Sequence, residues 1–162
     1  MIKAIILDRD GVITNNSKHY YIWEKEQLQF VDGIYNNLKQ LTQSGFKLFI
    51  VSNQGGISKG LYSREDILNI HDKMNSIFET RQVEITDILF CPHHPENEKC
   101  LCRKPESLML ERIISRYDLN KTESYFIGDS DSDMKAAKKA GIQGIKIPAN
   151  QDMYPFISHL TR

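Results

Sequence analysis

Short apolar runs alternate with amphipathic stretches along most of this chain. Residues 2–8, ending Ile5-Ile6-Leu7-Asp8, read as a buried strand that stops abruptly in Asp8-Arg9-Asp10-Gly11. Phe46 to Val51, Thr86 to Phe90, Ser124 to Ile127 and Ile142 to Ile147 are further apolar, β-favouring runs of strand length. Helical patterns fall between them. Gly33 to Ser44 fits a helix with Asp32 as N-cap and Gly45 after its end. Ser63-Arg64-Glu65-Asp66 predicts a capping box opening a long helix with Ile67, Ile70, Met74, Ile77 and Phe78 on one face. Pro105 suits the first turn of another helix, and Asp131 or Ser132 can cap a last one closed by Gly141. Strands alternating with helices imply βαβ units: an α/β, Rossmann-like three-layer sandwich with a mainly parallel sheet, in one domain over residues 1–162. Val12 to Phe30, with His19, Tyr20, Tyr21 and Trp23, predicts a long irregular loop. Loops of that length in compact domains are usually functional.

Composition narrows the possibilities. Lys+Arg and Asp+Glu number 21 each, a formal net charge of zero, so nothing suggests a nucleic-acid surface. No apolar run approaches a membrane span, and Met1 does not open a secretory leader. The expectation is a cytoplasmic protein, without membrane contact and monomeric. Its 3 cysteines cannot form a closed disulfide framework. They crowd instead into Cys91-Pro92-His93-His94 … Cys100-Leu101-Cys102, where C-x-H and C-x-C offer three thiolates and an imidazole to a tetrahedral Zn2+. Either His93 or His94 can supply that imidazole.

The polar clusters fall at the ends of predicted strands: Asp8/Asp10, Ser52/Asn53 and Gly128-Asp129. In an open α/β sheet those ends share one edge, where ligands bind. Two carboxylates aimed at one volume repel unless a cation or a reacting group lies between them, and Mg2+ prefers such oxygen ligands. Taken singly, each cluster is an ordinary turn sequence. His71, on an apolar helix face, reads as a packed histidine. Trp23 reads equally as a substrate platform or a loop anchor.

In order along the chain, Asp8-Arg9-Asp10-Gly11, Ser52-Asn53-Gln54, Arg103-Lys104-Pro105 and Gly128-Asp129-Ser130-Asp131-Ser132-Asp133 resemble the four motifs of the haloacid dehalogenase superfamily of phosphohydrolases. The resemblance covers residues 3 to about 147. It implies that Asp8 is the nucleophile and Asp10 the general acid and base. It further implies that Mg2+ is held by Asp8, the backbone carbonyl of Asp10, and Asp129. Ser52 and Lys104 would hold the transferring phosphoryl group, Asn53 would orient the substrate or Asp8, and Asp133 would support the metal shell or fix Lys104. The cysteine loop, residues 91–104, is similar to that of the zinc-bearing branch without a large cap. In that branch Cys91, His93, Cys100 and Cys102 are the Zn2+ ligands. The branch contains D-glycero-D-manno-heptose-1,7-bisphosphate phosphatases and histidinol-phosphate phosphatases.

Ser52-Asn53-Gln54-Gly55-Gly56-Ile57-Ser58-Lys59-Gly60 resembles the heptose enzymes more closely. A small phosphorylated sugar is therefore the expected partner, hydrolysed at its 7-phosphate. Gln54 joins the substrate-binding candidates, with Lys59 and Arg103 for the phosphate that is retained. Three departures bear on recognition: His19-Tyr20-Tyr21-Ile22-Trp23 replaces a Gly-Tyr-Val-like segment, Lys59 stands for arginine, and the zinc loop is short. The alternatives are a histidinol-phosphate phosphatase and, from a different class, a catalytically silent phosphoryl-binding domain.

Overall fold

A computed structural model describes residues 1–161. Five strands build the sheet: β1 (Ala4–Asp8), β2 (Lys47–Asn53), β3 (Ile85–Cys91), β4 (Tyr125–Gly128) and β5 (Gln143–Lys146). They pair in parallel in the order β3-β2-β1-β4-β5. The helices are α1 (Ile34–Gln43), α2 (Arg64–Thr80), α3 (Leu108–Arg116), α4 (Asp131–Ala140) and a short α5 (Tyr154–Ile157). The chain winds outward from β1 to β3, then crosses back to lay β4 on the other side of β1. That reversal opens a crevice at the strands' C-terminal ends.

Strand alternation explains the three layers. Ile5 and Leu7 of β1 face α1 and α2, packing with Leu38, Leu41, Met74 and Phe78. Ala4 and Ile6 face the other way, toward Leu110 and Ile113 of α3 and Ala136 and Ala137 of α4. Both faces being covered, all of β1 is buried. Ile22 from the long loop joins Tyr62, Ile67 and Ile70 in a third, smaller cluster.

Several boundaries differ from the sequence reading. Gly33, not Asp32, is the N-cap of α1, with φ 78° and no side-chain cap bond. Asp152 from the C-terminal segment stands over that turn, accepting from Asn37 Nδ2 at 2.7 Å, and a Cβ on Gly33 would lie 2.7 Å from its carboxylate. Pro105 lies in a turn, and α3 begins three residues later, at Leu108 after Ser107. The cap of α4 is Ser130, whose hydroxyl accepts from Asp133 N while the Asp133 carboxylate reaches back. The strands shift by a residue or two because pairing, rather than apolarity, sets their ends. Ser63 and Asp66 do form the capping box of α2, although Ile77 is only half-buried on its stripe. Within the long loop, Asn15 N–H donates to Gln29 O (2.7 Å) and Val31 N–H to Ile13 O (2.9 Å), so its two ends are tied together. Among the described residues no helix is long and apolar enough to cross a membrane.

Candidate active site

The crevice holds a cavity of about 370 Å3 lined by the ends of β1, β2 and β4 and by two loops. Asp8 ends β1, Ser52 and Asn53 end β2, and Asp129 follows β4. Residues 103 and 104, leaving the cysteine loop, close one wall, while Tyr20 and Tyr21 of the long loop stand on another.

Lys104 organises the charged half of this cavity. Its ammonium lies 2.8 Å from Asp8 Oδ1 and 2.7 Å from Asp133 Oδ1, almost entirely shielded from water. Asp133 is fully buried, and its other oxygen accepts from the backbone N–H groups of Asp129 (3.1 Å) and Ser130 (3.2 Å). It thus shapes the turn carrying Asp129 and fixes Lys104 together. Carboxylate oxygens of Asp8, Asp129 and Asp133 lie within 4.8 Å of one another. The close approach of Asp129 depends on Gly11, since a Cβ there would collide with the Asp129 carboxylate. Burial lifts the Asp8 carboxyl to about 8, with Lys104 pulling the other way. Burial also raises Asp129, helped by the Asp133 charge. Burial works against the Lys104 charge, but Asp8 and Asp133 outweigh it and hold the ammonium above its usual range. Three carboxyl groups around one ammonium, all offering oxygen, fit a hard divalent cation such as Mg2+.

Asp10 lies differently. It lines the cavity, but its carboxylate stands apart from the Asp8, Asp129 and Asp133 oxygens and has its own partners, which leaves its backbone carbonyl for a metal. Arg9 Nε donates to Oδ1 (2.9 Å) and Nη2 to Oδ2 (3.0 Å). Thr14 Oγ1 donates to Oδ1 (2.7 Å) and Gln54 Nε2 to Oδ2 (3.0 Å). Arg9 itself is 0% exposed. Nothing in the sequence patterning singled it out, since a charge flanked by aspartates normally reads as solvated.

The structure gives four of the remaining candidates definite partners. Asn53 lines the cavity while its amide donates to Lys104 O (3.1 Å) and accepts from Lys104 N–H (3.0 Å), clamping the lysine's backbone. Gln54 is buried beneath the cavity, its amide committed to Asp10 and to Ser52 Oγ (2.7 Å). Because the Ser52 hydroxyl accepts that bond, its own proton is left to donate into the cavity. Lys59 lies outside the cavity lining, its ammonium 3.6 Å from Glu96 on an exposed pair. Trp23 stacks on Tyr62 at 5.9 Å and 17°, so it anchors its loop and does not line the cavity. Arg103 does line it, with Nη1 donating to His93 O at 3.1 Å. His94 lines the same wall, and both press on Gly55, where a Cβ would lie 2.9 Å from each.

Beside the cavity, Cys91, His93, Cys100 and Cys102 bring their ligand atoms within 4.8 Å of one another. All three cysteines are unbridged. His93 Nδ1 lies 3.4 Å from Cys91 Sγ and 3.2 Å from Cys102 Sγ. His94 instead accepts a bond from Glu96 N–H. Burial and the Cys102 hydrogen bond push the Cys91 thiol up. For Cys100 burial opposes ionisation, but the backbone N–H groups of Arg103 and Cys102 bring it down to about 7. Three thiols and one imidazole converging on a loop with little apolar content match the donor set that a structural Zn2+ takes.

Known proteins resemble this chain in sequence and in fold. The haloacid dehalogenase-like hydrolase family matches residues 5–147. A Yersinia pestis protein named D-glycero-beta-D-manno-heptose-1,7-bisphosphate 7-phosphatase is 38% identical over 152 residues, 90% of this chain and 79% of its own length. A histidine biosynthesis bifunctional protein of Campylobacter jejuni subsp. doylei is also 38% identical, over 91% of this chain and 42% of that longer one. Among solved structures, the D,D-heptose 1,7-bisphosphate phosphatase of B. bronchiseptica, complexed with magnesium and phosphate, superposes with a TM-score of 0.85. The two are 30% identical, over 98% of this chain and 87% of that one.

Proposed function

This chain belongs to the haloacid dehalogenase-like hydrolases, and from that premise we propose a Mg2+-dependent phosphoric monoester hydrolase acting on the 7-phosphate of D-glycero-β-D-manno-heptose 1,7-bisphosphate. The observation that carries the reading is the carboxylate of Asp8 at the cavity floor, paired with Lys104 and bordered by Asp129. The heptose substrate is argued from what the similar Yersinia pestis protein is named.

In this reading an Asp8 oxygen attacks phosphorus and the bond from phosphorus to the sugar oxygen breaks, while Asp10 delivers a proton to that oxygen. Water then attacks the aspartyl-phosphate, losing its proton to Asp10 and releasing inorganic phosphate and the free Asp8 carboxylate. Lys104 and the Ser52 hydroxyl hold the phosphoryl oxygens in both steps. A Mg2+ held by Asp8, Asp129 and the Asp10 carbonyl supplies neutralisation of nucleophile and phosphate when bound. Arg103, on the cavity wall, takes the phosphate that is retained. Cys91, His93, Cys100 and Cys102 hold a structural Zn2+ within the same single domain, and a reducing cytoplasm keeps those thiols available to it.

The test is phosphate release with Mg2+ from the β and α heptose bisphosphates and from histidinol phosphate. The β anomer is expected to be turned over fastest, with Asp8→Asn losing roughly 1,000-fold or more. Preference for histidinol phosphate would replace the substrate, and activity surviving in Asp8→Asn would remove the mechanism.

A further inference from the structure

The reaction above asks for a proton carrier of fixed position, yet Asp10 sits at a loop where β1 has ended. What fixes it lies behind the cavity, among residues the chemistry itself never touches. Arg9 Nε and Nη2 grip its carboxylate side-on. The remaining arginine donors reach Ile22 O (Nη2, 2.6 Å) and His71 Nε2 (Nη1, 3.2 Å). His71 is buried on α2, and burial together with the Arg9 charge pushes it down to about 3. It is therefore neutral, and the arginine donor fixes its tautomer, with Nε2 accepting. On the other side, the Tyr62 hydroxyl donates to Gln54 Oε1 at 2.7 Å, which turns the Gln54 amine toward Asp10. Gly56 permits this, because a Cβ there would collide with the Tyr62 ring.

We propose that Arg9, Gln54, Tyr62 and His71 are positioning residues that hold the Asp10 carboxylate for proton transfer, with the Ile22 carbonyl tying this cage to the cavity-rim segment. The proposal rests on the reading of Asp10 as general acid and base. It also accounts for Tyr20 to Trp23. Tyr20 packs edge-on against Tyr21 (4.8 Å), Tyr21 against Tyr62 (5.7 Å), and Trp23 stacks on Tyr62. Tyr20 and Tyr21 line the cavity, so a substrate resting on them bears on the segment that supplies Ile22 O to Arg9. Thr14 completes the device. Its hydroxyl is 2.7 Å from Asp10 Oδ1 and 3.3 Å from Arg9 O. Turning to that carbonyl, it vacates one lone pair of Asp10 Oδ1 for the proton, while Arg9 Nε keeps its bond to the same oxygen.

The leaving group separates positioning from mere stability. A sugar alkoxide must be protonated as it departs, whereas p-nitrophenolate leaves as a stable anion. With the full-length protein and Mg2+, kcat and KM are measured for the heptose bisphosphate and for p-nitrophenyl phosphate in His71→Leu, His71→Gln and Tyr62→Phe. Asp10→Asn and Asp8→Asn serve as benchmarks. His71→Leu is expected to lose about 10- to 100-fold in kcat/KM on the sugar and less than about 3-fold in kcat/KM on the aryl ester, a misplacement effect read before the water-attack step that both substrates share. His71→Gln, which keeps an acceptor, should recover most of it, and Tyr62→Phe should show the same split more weakly. Equal losses in kcat/KM on both substrates, or none, in variants that melt like the wild type would overturn the cage while leaving the parent reading intact. Should His71→Leu not fold, Tyr62→Phe decides by the same criterion. Turnover by Asp8→Asn would instead overturn the parent reading, and the cage with it.

Discussion

Around Asp8, three carboxyl groups crowd one ammonium; around Asp10, one carboxylate meets one guanidinium and two neutral donors. A single residue, Arg9, separates these two aspartates along the chain. The first is unbalanced by itself. Burial raises Asp8 to about 8 and raises Asp129 too, which is how a site behaves when it is built for a cation it does not carry in its own side chains. The second is balanced without help: every donor aimed at Asp10 is protein, and the guanidinium behind it has a carbonyl and a neutral histidine for its other bonds. One half is shaped to receive charge and the other to stay still. A phosphoryl-transfer site needs both, since charge arrives with the substrate while the proton carrier must already be in place.

The largest way to break the contrast is Lys104→Met. It strips the charged half of its one cation, and without divalent metal we expect about 3–5 kcal/mol lower stability by denaturant unfolding, the usual loss when one partner of a buried pair is removed. Mg2+ should restore part of that loss. An unchanged midpoint would mean that Asp8 and Asp133 do not depend on Lys104.

Next comes the cysteine loop, which delivers Arg103 and Lys104 to the cavity. Removing bound metal with a chelator, or replacing Cys102 by Ser, should lower the melting temperature by about 10 °C. A chelator-insensitive melt would argue that the four ligand atoms converge without a metal.

The smallest effect sharpens the balanced half. His71 titrates near 3 in the folded protein against 6.5 unfolded, so as pH falls below about 6.5 the unfolded chain takes up the proton first. Its contribution is therefore whole above that pH and is lost progressively down to about 3. Between pH 7 and pH 5 the wild type should lose about 2 kcal/mol relative to His71→Gln, at about 1.36 kcal/mol per unit. Parallel stability curves for the two proteins would show that His71 is not held neutral beside Arg9.

Much of this was written locally. Alternating apolar runs and helical stripes carry their own period, so the α/β order, the capping box at Ser63 and the polar clusters at strand ends are legible without the fold. So is the crowding of Cys91, Cys100 and Cys102, because the spacing of thiols along a loop survives in one dimension. Partnership between distant side chains does not. That Arg9 is buried, that Asn53 serves the Lys104 backbone, that Gln54 turns inward and that Lys59 faces Glu96 all depend on which groups meet across 50 or so residues of chain. The physical reason is that a buried polar atom must be matched by whatever the packed fold brings within hydrogen-bond distance. Sequence determined that two aspartates would stand at the end of β1. Only the tertiary structure decided that Asp8 would face the cavity beside Lys104 while Asp10 would be held from behind by Arg9, Gln54 and Thr14.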